Sequence, residues 1–244
     1  MSKIPDVAMV LSAGRGTRMG VLSQTVPKPL TKVLGRTLLD RILVQLADVG
    51  VSRAVVNVHH LGDQITQHLG QRDQQLKIDI SDEREQLLET GGGIKKALPK
   101  IGSKPFFAIN SDALWVNEKS NALKKMAEFY DPEKMDILLL LTPLNTATGF
   151  DGAGDFFMDS GGQLSWRADA LSAPYVYAGV QILRVNIFKD TPEGPWPLKD
   201  LYIRAAHAGR LYGCLLDGHW MHVGTKEAIS LAEAKLLSLG EEQL

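Results

Sequence analysis

The chain has 244 residues, 44% of them apolar and 23% charged, with 27 Lys plus Arg against 28 Asp plus Glu and a formal net charge of -1. That length suits one large α/β domain or two small ones, and the balanced charge excludes a global field that would hold nucleic acid or an anionic membrane. A single cysteine, Cys214, excludes an internal disulfide, and the longest aliphatic run, 137–141, is far below the roughly 20 residues needed to cross a bilayer. A cytoplasmic location is the expectation, and Cys214, set in an apolar run, reads as a small core residue.

Residues 7–12 are an apolar run that stops at a glycine turn, the pattern of a strand buried on both faces. Residues 38–47 carry Leu39, Ile42, Leu43 and Leu46 at helical spacing, and Gly50 closes them. A β-branched strand follows at 53–58, a short helix at 63–69 and a short alternating strand at 77–80. A helix is expected to open at 93–98, then a strand at 106–109, a helix at 122–130 and an apolar strand at 136–141. Beyond this the pattern loosens. Residues 146–162 are rich in Gly, Thr, Ala and Asp and read as loop, with strand-like stretches at 153–158, 176–183 and 211–216 and a helix at 198–207. Thr225 is placed to cap a last helix over 226–239, which Gly240 ends.

Strands alternating with helices predict an α/β fold, a three-layer Rossmann-like sandwich whose sheet is mixed but mainly parallel. Such sheets bind ligands at the carboxyl ends of their strands, which puts the chemistry just after Ser12, Val58, Ile80 and Ile109. Nothing in the chain reads as a linker, so residues 1–244 are expected as one domain.

The strongest motif is Leu11-Ser12-Ala13-Gly14-Arg15-Gly16-Thr17-Arg18-Met19, followed by Pro27-Lys28-Pro29. Small residues at Ala13, Gly14 and Gly16 let a ligand approach the backbone, and consecutive N–H groups there can form an anion-binding nest. Arg15 and Arg18 add guanidinium groups suited to phosphate oxygens. The spacing is neither a Rossmann fingerprint nor a Walker A loop, and two arginines inside the turn suit a triphosphate better than a dinucleotide. Lys28 between two prolines reads as an ammonium on a stiff, extended frame.

Three further clusters follow. Glu89-Thr90-Gly91-Gly92-Gly93 reads as a glycine-rich helix start with free N–H groups. Asp112, in Asn110-Ser111-Asp112, follows a strand and faces the expected crevice, where a carboxylate with substrate phosphates can hold Mg²⁺. His222 lies in Trp220-Met221-His222-Val223-Gly224-Thr225.

Together these motifs resemble the sugar-phosphate nucleotidyltransferase family, whose signature is an L-A-A-G-x-G-x-R-M-type loop followed by P-K-P; Ser12 replaces the usual alanine. The resemblance runs through most of the chain and implies a nucleotidyltransferase-type fold. The nucleotide-binding half would end near residue 112 and the sugar-binding half near 225. It implies catalytic roles for Arg18, Lys28 and Asp112. It implies nucleotide binding by Ala13, Gly14, Arg15, Gly16, Thr17, Arg18, Lys28, Glu89, Gly91 and Gly92. For the sugar it implies Asn57, His59, Asn110, Gly154, Asp155, Tyr177 and Gly179. Asp112 matches the metal-binding position of the family's N-G-D motif, with Ser111 in place of the glycine.

Many members carry a second metal-binding Asp where this chain has His222, and imidazole is a poor ligand for Mg²⁺. Either Asp112 and the triphosphate hold the metal, Mg²⁺ or Mn²⁺, or His222 takes a softer ion, or it binds the sugar phosphate. Leu88 to Ile94 and the stretch Asn57-Val58-His59-His60 are most similar to the branch that joins UTP to N-acetylmuramate 1-phosphate in peptidoglycan recycling. GTP with mannose or heptose 1-phosphate, and UTP or dTTP with glucose 1-phosphate, are the alternative substrate pairs. A catalytically weak nucleotide-sugar-binding regulator is the alternative of another class. The expected partners are a nucleoside triphosphate and a sugar 1-phosphate, with no nucleic acid and no membrane, acting on a monomer or homodimer. No β-helical acyltransferase segment is expected.

Overall fold

The computed structural model describes residues 3–72 and 76–241. The chain opens with strand β1 (Val7–Leu11), a single-turn helix α1 (Leu22–Thr25) and a short ribbon, β2 (Lys32–Val33) and β3 (Arg36–Thr37). Then come α2 (Leu38–Asp48), β4 (Arg53–Val58), α3 (Gly62–Gly70), β5 (Lys77–Asp82), α4 (Glu89–Ile101) and β6 (Phe106–Asn110). The middle holds β7 (Ala113–Asn117), α5 (Ala122–Phe129), β8 (Ile137–Pro143), β9 (Phe156–Met158), β10 (Leu164–Trp166) and β11 (Tyr175–Leu183). The end holds α6 (Lys199–His207), β12 (Leu211–Leu215), β13 (Gly218–His222) and α7 (Lys226–Ser238).

The main sheet has nine strands among the described residues. Its pairings give the order β12-β8-β11-β6-β1-β4-β5, and the β9–β10 hairpin joins the start of β11. β6, β1, β4 and β5 are parallel, as are β8 and β12, while β11 runs antiparallel to both β6 and β8. The mixed, mainly parallel sheet with helices on both faces is the expected architecture. Alternation along each strand divides the core. Ala8, Val10 and Val56 pack with α2, α3 and α5 on one face, while Met9 and Val55 pack with α4 and α6 on the other. Met9, Val10, Val55, Phe107 and Leu139 are all fully buried, as strands covered on both faces require.

Helix α2 shows why sequence reading works locally. Thr37 Oγ1 accepts from the Asp40 N–H at 3.0 Å, closing the first turn. Leu39, Ile42, Leu43 and Leu46 then form the buried stripe. Thr225 likewise caps α7, accepting from the Ala228 N–H at 3.3 Å, and Gly240 beyond it takes a left-handed conformation.

Several boundaries differ from expectation. The helix expected to open at Gly93 opens at Glu89, so all three glycines lie inside it. The strand expected over 153–158 starts only at Phe156, because Gly154 turns back at φ +80° against the Ala173 carbonyl. β5 runs two residues past the expected end. The β7–β13 ribbon and β10 carry no strong sequence signal, being short and pinned by pairing with distant residues. β7–β13, β2–β3 and α7 close a third small core around Leu38, Met221 and Leu236.

Candidate active site

β1 delivers the chain to an irregular stretch that ends in the 3-10 turn Thr17–Met19. Gly16 is left-handed, with φ +63°, and a Cβ on it would lie 3.2 Å from Lys28 Cβ. This is one position where glycine is required. Among the described residues, the N–H groups of Ala13, Gly14, Arg15 and Gly16 donate to no protein acceptor. The turn is therefore a set of open donors at a strand's carboxyl end.

Lys28 is not extended, as Pro27-Lys28-Pro29 suggested. It starts a 3-10 turn over Lys28–Leu30, in which Leu30 N–H donates to Pro27 O at 2.8 Å. Pro29 fits because the missing N–H at its position is not needed in a first turn. The turn aims Lys28 Nζ at Asp112 Oδ2, 2.6 Å away, with the two side chains 11% and 25% exposed. Burial alone would push the Asp112 carboxyl up. The charge and hydrogen bond of Lys28, helped by the nearby His222 and Arg18, outweigh it and hold the carboxyl below its ordinary value.

Arg18 Nη1 lies 3.4 Å from His222 Nε2. His222 ends β13 and its ring packs beside Trp220 and edge-on to Phe150, with centroids at 5.8 and 6.1 Å. Burial pushes its pKa down, with Lys28 and Arg18 acting the same way against Asp112 and Asp151. Arg18, Lys28, Asp112 and His222 thus converge from four separate segments of the chain.

Arg18, Lys28 and Asp112 border a cavity of about 350 Å³, and Gly224, two residues past His222, lines it too. The turn contributes Ala13, Gly14, Gly16, Thr17 and Arg18; Lys28 and Asp112 stand together; and Asn57, Glu89 and Asn110 line the rest. Thr90, Ser111 and Leu87 also line it, residues to which the sequence gave no binding role. All of this lies beyond the carboxyl ends of β1, β4 and β6, where open sheets bind ligands.

Other expected site residues stand outside that cavity. Arg15 is exposed on the turn. Gly91 and Gly92 do not present free donors: both N–H groups donate to Trp196 O, at 2.9 and 3.3 Å. A Cβ on Gly91 would enter the Trp196 ring, and one on Gly92 would strike Gly194 O. These glycines admit the protein's own segment, so their close approach is internal. His59 is not among the residues that line the cavity; it stands near Glu83, and among the described residues its buried Nδ1 has no hydrogen-bond partner. Asp155 accepts from the Tyr177 N–H at 2.9 Å and ties the loop before β9 to β11. Burial pushes the Asp155 carboxyl up against that hydrogen bond and the Arg167 charge. Tyr177 packs edge-on to Tyr202 at 6.0 Å. Gly179, at φ +80°, faces Asn110 and Ala113.

Asp112 offers one carboxylate, with one oxygen already on Lys28, and among the described residues no three His, Cys, Asp or Glu side chains form a metal cage. That donor set fits a hard cation that arrives with substrate phosphates and keeps several waters.

Residues 8–143 match the model of the MobA-like NTP transferase domain. The chain is 43% identical, over 97% of its length and 99% of the relative's, to N-acetylmuramate alpha-1-phosphate uridylyltransferase of Caulobacter vibrioides. It is 34% identical to the protein of the same name from Neisseria meningitidis serogroup B, over 93% of this chain and 98% of that one. HddC from Yersinia pseudotuberculosis, complexed with GMP-PN, shares the fold with a TM-score of 0.76 at 22% identity, covering 94% of this chain and 99% of that chain. The chain therefore belongs to the MobA-like NTP transferase family and is a nucleotidyltransferase of the sugar-1-phosphate kind.

Proposed function

We propose that the protein transfers the uridylyl group of UTP to N-acetylmuramate α-1-phosphate, a step of peptidoglycan recycling, giving the UDP-sugar and pyrophosphate. The observation that carries the chemistry is the Lys28–Asp112 pair, 2.6 Å apart at the edge of a turn with open N–H donors. The choice of UTP and of this sugar rests on the Caulobacter and Neisseria relatives.

The acceptor phosphate is already a nucleophile at neutral pH, so no Ser–His–Asp relay is needed. Its oxygen attacks the α-phosphorus in line, and the bond to the pyrophosphate oxygen breaks. The turn N–H groups and Arg18 hold the triphosphate. Lys28 offsets charge that gathers near the α-phosphate. Catalysis rests on alignment and on donors fixed in advance. Asp112 is the residue that would hold Mg²⁺, which supplies further charge neutralisation when bound. His222, pressed against the Arg18 guanidinium, is assigned no metal. Asn110 and the Asp155–Tyr177–Gly179 wall are assigned to the sugar side.

The test is pyrophosphate release with Mg²⁺, each of the four ribonucleoside triphosphates plus dTTP, and a panel of sugar 1-phosphates. Release confined to UTP with N-acetylmuramate 1-phosphate is expected. Release with GTP and mannose 1-phosphate instead would move the protein to another substrate pair. Silence with every pair, repeated with Mn²⁺, would overturn the reading.

A further inference from the structure

Among the described residues, the chemistry above leaves one fully buried carboxylate unused. Glu83 directly follows β5 and has no exposed surface. Its Oε1 accepts from Asn57 Nδ2 at 2.7 Å, and its Oε2 accepts from the Leu88 N–H at 3.1 Å. Asn57 is also buried, and its Oδ1 accepts from the Ser12 N–H at 2.6 Å. A continuous link therefore runs from Ser12, the first residue past β1, to Leu88, the residue before α4. Both ends adjoin the cavity, since Ala13 and Glu89 line it.

The polarity of this link has one solution. The Ser12 and Leu88 N–H groups can only donate. Asn57 must then present its oxygen to Ser12 and its NH₂ to residue 83. Residue 83 must accept at both ends, which a carboxylate does and a carboxamide does not. A buried carboxylate is costly unless it is fully hydrogen-bonded, so an apolar side chain would serve a purely packing role better. Gly93, the third glycine of α4, clears the space: a Cβ there would lie 2.7 Å from Glu83 Oε1 and 3.0 Å from Asn57 Nδ2.

We propose that Glu83 is a positioning residue that sets the spacing of the two walls of the nucleotide cavity, holding Ser12 through Asn57 and Leu88 directly. The effect on nucleotide affinity rests on the nucleotidyltransferase reading of that cavity; the link itself does not.

The geometry supplies a reciprocal test. In Glu83→Gln the carboxamide oxygen can serve only one arm. Adding Asn57→Asp restores all three bonds: Gln Oε1 accepts from Leu88, Gln Nε2 donates to Asp, and the second Asp oxygen accepts from Ser12. Amide hydrogen exchange at Ser12 and Leu88, read by NMR on the whole protein without substrate, is the first readout. The second is the KM of whichever nucleoside triphosphate the wild type uses. Glu83→Gln is expected to lose protection at Ser12 or Leu88 and to raise that KM about tenfold, the scale of one charge-assisted hydrogen bond, with kcat within about twofold. The double variant is expected to recover protection at both amides. Unchanged protection in Glu83→Gln, or a double variant no better than the single one, overturns the proposal. If the wild type turns over no triphosphate, the functional reading fails, and the amide protection still decides the brace.

Discussion

At the scale of single residues, the site is a problem of charge placement. Lys28 and Asp112 come from segments 84 positions apart and meet at 2.6 Å, each correcting the other's burial. Removing either leaves its partner unpaired and takes one oriented electrostatic group from the reacting phosphates. Lys28→Ala and Asp112→Ala are each expected to lower kcat at least about 10²-fold in a pyrophosphate-release assay. His222 has a different standing. It faces the Arg18 guanidinium, a poor neighbour for a bound cation, so His222→Asp is expected to leave the Mg²⁺ dependence of the rate unchanged. A new Mg²⁺ optimum in that variant would make position 222 a ligand position. Cys214 is the contrasting case of a group kept inert. Burial pushes its thiol up to about 11, so thiolate is scarce at neutral pH and grows only as the pH rises toward that value. Alkylation of the native protein at pH 8 is expected to be slow and to become fast on unfolding, as followed by mass spectrometry.

At the scale of elements, α4 shows what a motif can hide. Its first turns contain Gly91, Gly92 and Gly93, a costly run for a helix interior. The sequence invites a ligand-approach reading. The structure instead places Trp196 on Gly91, Gly194 on Gly92 and the Glu83–Asn57 pair on Gly93. Leu198 N–H also donates to Thr90 Oγ1 at 2.8 Å, so the segment around Trp196 fastens α4 to the sheet's other half. In an open helix Gly→Ala stabilises by up to about 1 kcal/mol. Here Gly91→Ala is expected to destabilise by about 1–3 kcal/mol through overpacking against Trp196, measured by urea unfolding. The sign of that change separates internal packing from an unused surface. The start of α3 and the residues before it hold the segment that follows the signature turn. His60 Nε2 lies 2.7 Å from Ser23 O, and Gln64 Nε2 donates to Thr25 O at 3.0 Å, so the segment around α1 is held by side chains some 40 positions on.

At the scale of the whole molecule, the first and second halves of the chain share one sheet. β11, from the second half, pairs with β6 from the first through Val180–Ile109 to Leu183–Phe106. Its fully buried Gln181 is paired to Ala108 on one side and Leu139 on the other. With the seam between the halves inside the core, unfolding is expected to be one cooperative transition. Coincident far-ultraviolet circular dichroism and tryptophan fluorescence curves would show it, and two separated midpoints would make the halves independent units.

The local rules carried far in this chain. The apolar run after residue 6, the stripe of α2, the Thr225 cap and the turn around Gly14 and Gly16 were legible because each depends on neighbours a few positions away. Arg18, Lys28 and Asp112 also stood out by their motifs, and the structure brings them to one cavity. The sequence by itself thus determined the sandwich, the signature turn and the family resemblance. Only the tertiary structure decided which glycines line the cavity and which pack against Trp196, and whether Asn57 and His59 reach the cavity. It also decided that Glu83, hidden in the charged run Asp82-Glu83-Arg84-Glu85, is a buried brace and not a solvated loop residue. The physical reason is common to all of these. Each depends on a pairing between residues far apart in sequence, where burial changes the cost of a charge and a neighbour's volume changes the meaning of a missing side chain.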